Sequence, residues 1–104
     1  MKQDKVLSMI GMAMRAGKVV SGEFAVEKSV KSQKAYLVII ARDSSDNSKK
    51  NYEDMCKFYH TELHYYGTKE SLGAAIGKEY RASVAIQDEN FAKAILAKLE
   101  ATEN

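Results

Sequence analysis

Apolar residues recur at Val6, Met9, Ile10 and Ala13, with Met14 beside them, and this three-and-four spacing predicts an amphipathic helix. Gly17 is its natural stop, and Arg15 and Lys18 near the exit complement the negative end of the helix dipole. Lys18-Val19-Val20 reads as a short strand or extended lead-in. A second helix then runs from Ser21, its expected N-cap, to Lys31. At 3.6 residues per turn Gly22, Ala25, Val26, Ser29 and Val30 share a small, apolar side suited to lying on a sheet. Phe24, Lys28 and Lys31 fall at i, i+4 and i+7 on the opposite side.

The run Ala35 to Ala41 is unbroken and apolar, the pattern of a strand buried on both faces, and predicts a central position in a sheet covered by helices on both sides. Arg42-Asp43-Ser44-Ser45-Asp46-Asn47 follows at its C-terminal end, where open α/β sheets place ligands; simple capping explains the same residues equally well. A third helix is predicted from about Asn47 to Tyr59, with Tyr52, Met55, Cys56 and Tyr59 inward. Lys49 and Lys50 in its first turn oppose the dipole, which calls for either a bound phosphate or exposure to solvent.

Glu62 to Tyr66 alternates like a strand. Gly67-Thr68-Lys69-Glu70 makes a turn into a fourth helix capped by Thr68, with Leu72, Ala75 and Ile76 inward, Gly73 for close packing and Gly77 as stop. Ala82 to Ile86 is a further strand, and Asp88 caps a last helix that packs through Phe91, Ala92, Ile95, Leu96 and Leu99. A frayed tail is expected from Ala101 to Asn104. The alternation predicts an α/β fold, a three-layer α/β/α sandwich with a small mixed sheet of about four strands, in a single domain over residues 1–104.

Composition narrows the function classes. The 104 residues carry a net charge of only +2, so any affinity for nucleic acid must come from a local basic patch rather than an overall field. One cysteine, Cys56, cannot close an internal disulfide; with no targeting signal and no run of transmembrane length, the expectation is a cytoplasmic protein that does not enter membranes. Cys56, His60 and His64 are spaced by four, as metal ligands on one helical face would be, but the alternation through Tyr66 moves His64 onto a strand and no fourth ligand is evident. Gly11 to Lys18 resembles a phosphate-binding loop only superficially: the spacer is one residue too long, and Val19 stands where Ser or Thr is required. With no paired carboxylates and no nucleophile beside a base, the chain reads as a non-enzyme without cofactor or metal.

Two readings of the second helix stand side by side. An aromatic ring in line with two ammonium groups suits RNA, and the free N–H groups at a glycine-led helix start bind phosphate. Alternatively Phe24 packs beneath a neighbouring loop and the lysines are merely solvated.

Over nearly its whole length the sequence resembles the ribosomal-protein superfamily of the archaeal "L-seven-Ae" and eukaryotic "L-thirty-e" proteins, most closely its small bacterial ribosome-associated members. The stretches that carry the resemblance are Met14-Arg15-Ala16-Gly17-Lys18, Ser21 to Lys28, Leu37 to Asp43, Tyr65-Tyr66-Gly67, Leu72 to Lys78, Tyr80-Arg81 and Ala85 to Asp88. The resemblance implies binding to kink-turn RNA, a helix, internal loop and helix bent sharply at tandem sheared G·A pairs, with ribosomal RNA as the partner and a monomeric protein that binds no DNA. By that resemblance Gly22 matches the family glycine and Lys28 its phosphate-facing lysine, while Asp43-Ser44 and Gly67-Thr68-Lys69 match the two flanking loops. The RNA-binding set expected is Lys18, Ser21, Gly22, Glu23, Phe24, Lys28, Lys31, Arg42, Asp43, Ser44, Gly67, Thr68 and Lys69.

One departure matters. Strong binders of the family carry Asn or Lys followed by Glu or Gln where this chain has Phe24 and Ala25, and neither replacement side chain can hydrogen-bond a base edge. Weaker and less selective binding is expected, with Phe24 stacking on an unpaired base. The runner-up reading is a protein–protein adaptor on the same fold that has lost RNA binding, its partner anchored on Phe24.

Overall fold

The computed structural model describes residues 4–103. Asp4 caps α1 (Lys5–Arg15), accepting the Leu7 N–H at 2.9 Å. The helix ends as Gly17 requires: the Gly17 N–H bonds Met14 O and the Lys18 N–H bonds Ala13 O, both at 2.9 Å, so two otherwise orphaned carbonyls are satisfied. β1 (Val19–Ser21) leads into α2 (Glu23–Lys31), then β2 (Leu37–Ile40), α3 (Asp46–Tyr59), β3 (Glu62–Tyr65), α4 (Lys69–Ala75), β4 (Ser83–Ile86) and α5 (Glu89–Glu103).

Side-chain caps place these starts. Ser45 Oγ accepts the Ser48 N–H at the head of α3, and Thr68 and Ser71 bond each other's backbone N–H at the head of α4. Asp88 accepts the Phe91 N–H at 2.9 Å at the head of α5. Ser21, expected to cap α2, does not: it closes β1, and Gly22 occupies the cap without a side-chain bond. The tail also differs from the frayed end expected, because α5 stays helical to residue 103; Asn104 lies outside the described residues.

The sheet has four strands in the order β1-β4-β2-β3. β4 runs antiparallel to both its neighbours and β2 parallel to β3, so the sheet is mixed as expected. All four residues of β2 are buried, because helices cover both faces. Leu37 and Ile39 point into a layer with Ile10 of α1, Leu72 of α4 and Ile95 and Leu99 of α5. Val38 and Ile40 point the other way, to Val26 and Val30 of α2 and Tyr52 and Cys56 of α3. The result is the α/β/α sandwich, three helices on one side and two on the other. No helix among the described residues is long and apolar enough to cross a membrane.

Candidate nucleic-acid interface

Strand direction gathers the loops. β1, β2 and β3 run the same way and β4 the other, so the C-terminal ends of three strands and the start of the fourth share one sheet edge; Ser21 pairs with Val84, and Ile40 with Ser83 and Tyr65. The segment leading into β4 then ties the loops together. The Gly22 N–H donates to Ser83 O at 3.1 Å, the Ala41 N–H to Ala82 O at 2.8 Å and the Arg81 N–H to Lys69 O at 2.9 Å. Arg81 Nε donates to Ser21 Oγ at 3.1 Å. The two loops matched to the family's flanking loops are bonded directly: the Arg42 N–H to Gly67 O at 2.9 Å, and the Lys69 N–H to Asp43 Oδ1 at 2.8 Å.

Gly22 adopts φ +90°, ψ 157°, in the region that favours glycine, and this lets the chain turn from the end of β1 directly into α2. With no side chain in the cap, the first N–H groups of α2 stay open, flanked by exposed Glu23. Along the outer flank Phe24 is 82% exposed. It does not pack under a loop. Lys28, one turn on, is exposed and makes no ion pair among the described residues, whereas Lys31 bonds Glu27 Oε1 at 2.6 Å, which raises the lysine above its ordinary pKa. Phe24, Glu27, Lys28, Lys31 and Ser32 line a shallow depression of about 440 Å³.

The remaining residues sort by position. Thr68 and Lys69 are exposed and Gly67 half-buried on the turn before α4. Ser44 is buried, its hydroxyl aimed at Ala82 O at 3.5 Å, so it supports the edge from beneath rather than facing out. Arg42 is exposed, its guanidinium 5.7 Å from the Tyr66 ring centroid. Tyr66 in turn donates to Asp4 at 2.7 Å; burial and this carboxylate push its phenol up to about 12. Lys18 stands apart. It precedes β1, and its carbonyl accepts the Gln87 N–H at the far edge of the sheet, about 10 Å from Ser21 by strand rise.

Lys49 and Lys50 need no phosphate to offset them. They fall past the first turn of α3, Lys49 5.8 Å from the centroid of Tyr65 and Lys50 at 3.4 Å from Asp54. The Cys56, His60 and His64 spacing dissolves: His60 is the left-handed C-cap of α3, and His64 lies on β3 beside Glu62 at 3.0 Å. Cys56 is buried, and burial pushes its thiol up to about 11. Among the described residues no His, Cys, Asp and Glu cluster could hold a metal ion.

Arg81 is the contributor that sequence reasoning missed as a site residue. It sits within the quoted Tyr80-Arg81 stretch, yet only the pairing of β4 with β1 and β2 carries it to the loops. What the edge offers chemically is binding: open helix-start amides, an ammonium without an ion pair among the described residues, a guanidinium and a bare aromatic ring.

The model of the ribosomal protein L7Ae/L30e/S12e/Gadd45 family matches residues 4–97. The chain is 38% identical over 92 residues to the RNA-binding protein YlxQ of Bacillus subtilis (strain 168), covering 88% of this chain and 92% of that one. It is 31% identical over 84 residues to the large ribosomal subunit protein eL30 of Trypanosoma brucei brucei, 80% of each chain. A solved structure of a protein with unknown function from Bacillus halodurans C superposes with a TM-score of 0.91 at 33% identity, over 94% of this chain and 99% of that one.

Proposed function

The chain belongs to the ribosomal protein L7Ae/L30e/S12e/Gadd45 family, and on that premise we propose that it is a non-catalytic, ribosome-associated protein that binds kink-turn-like structured RNA through the Gly22 edge. The observation that carries this reading is the convergence of the start of α2, the Asp43 loop and the Thr68 turn on the segment leading into β4. A sharply bent RNA brings phosphates from two helices together, and one rigid edge with open amides beside Lys28, Arg42 and Lys69 can meet both at once. The relatives named for RNA binding and for the large ribosomal subunit support the same partner.

The reading carries a single binding domain, a monomer, ribosomal RNA and a cytoplasmic location. It assigns the RNA contacts to Gly22, Glu23, Phe24, Lys28, Arg42, Asp43, Gly67, Thr68 and Lys69, with Ser21, Ser44 and Arg81 holding them in place; Lys31, spent on Glu27, adds little net charge. Lys18, about three residues down β1 from this edge, is left out of the reading. Binding to a kink-turn and to a straight duplex of equal length across a salt series tests it. Tighter binding to the kink-turn at every salt concentration is expected, and equal affinity for the two overturns the shape-specific reading.

A further inference from the structure

From the outer flank of α2 we propose a second subsite, resting on the RNA-binding reading: the face of Phe24 takes one unpaired nucleobase of the bound RNA, and Lys28 takes the phosphate of that nucleotide. Phe24 is 82% exposed although it stands one residue past the helix start that the reading assigns to RNA, and it heads the depression formed with Lys28, Lys31 and Ser32. Leaving a phenyl ring this bare in water gains the fold nothing. The ring also occupies a turn whose neighbours are charged.

That neighbourhood selects the occupant. Glu27, Lys28 and Lys31 share the depression with the ring, and such charge density is what the core of a protein–protein interface lacks. A lone ring also falls far short of the roughly 800 Å² per partner that a standard protein interface buries. Lys31 and Glu27 nearly neutralise each other, and Glu23 lines a separate depression against α3, so the net charge within the depression is the Lys28 ammonium, which makes no ion pair among the described residues. One π-face and one cation match one nucleotide, a base and a phosphate. Phe24 cannot hydrogen-bond, so the contact accepts any base and reads whether a base is unstacked rather than which base it is.

The test combines Phe24→Ala and Phe24→Trp with kink-turn RNAs in which each unpaired nucleotide in turn is made abasic. Phe24→Ala should weaken binding roughly 5- to 150-fold, Phe24→Trp should keep it, and one abasic position should reproduce the Ala loss in wild type while adding nothing to it in the variant. Because the ring is exposed, the melting temperature of Phe24→Ala should match wild type. If wild type binds the kink-turn no better than duplex, the function reading itself fails. If wild type is selective but Phe24→Ala binds as tightly, only the subsite is overturned, and the ring is left to a protein partner. Losses that add across variant and abasic RNA overturn it equally.

Discussion

Tyr52 crosses from α3 to the start of β4, where its hydroxyl and Ser83 Oγ share a buried hydrogen bond of 2.7 Å. Tyr52→Phe strands the Ser83 hydroxyl in the core and should cost about 1–3 kcal/mol in denaturant unfolding, most of it recovered when Ser83→Ala is added. Gly73 makes a close approach: a Cβ there would lie 2.6 Å from Glu79 O and 2.8 Å from Tyr80 N. Gly73→Ala should therefore displace the backbone just ahead of Arg81 and lower both stability and RNA affinity. Lys28 acts by charge alone, so Lys28→Ala should reduce the slope of log affinity against log salt by about one while leaving the melting temperature unchanged. An unaltered slope would remove its phosphate role.

At the scale of elements, the bond from the Lys69 N–H to Asp43 Oδ1 fastens the loop after β2 to the start of α4. Asp43→Ala should speed hydrogen exchange of the Lys69 amide while the amides of β2 keep their protection. Most elements could be read from local pattern. The apolar run through Ile40 announced a strand buried on both faces, and Thr68, Asp88, Gly17 and Gly77 marked helix ends by chemistry that acts within a few residues. The failures share one cause, pairing between distant segments. Ser21 is a good cap by composition, but pairing with Val84 holds it in β1 and passes the cap to Gly22. Lys18 is near the second helix in sequence, yet β1 separates it from the loops, and Arg81 joins them from sixty residues beyond Ser21. Exposure of Phe24, Lys28 and Lys31 on the outer flank is what the helical period alone could foretell.

For the whole molecule, net charge +2 leaves the proposed RNA-facing edge dependent on a few placed cations, so binding should fall between low and physiological salt with a slope set by their number. Alkali should destabilise the protein. Burial holds the Cys56 thiol up to about 11 against an ordinary 9.0, and burial first, then carboxylate partners, hold Tyr65 and Tyr66 up to about 12 against 10.0. Above pH 9 the unfolded chain gives up these protons before the folded one does, so stability is whole below that point and declines as pH climbs toward 11 and 12. Thermal melts from pH 7 to 11 should show a level midpoint and then a fall; a rising midpoint would contradict the assignment. The sheet itself has a longer reach. Standing between the two helical layers as a bulkhead, it keeps a change of side chain beneath α2 from being felt under α1, α4 and α5. Side chains on the outer surface of that helix can likewise be exchanged without touching either core layer, and Phe24, bare to solvent, is one of them.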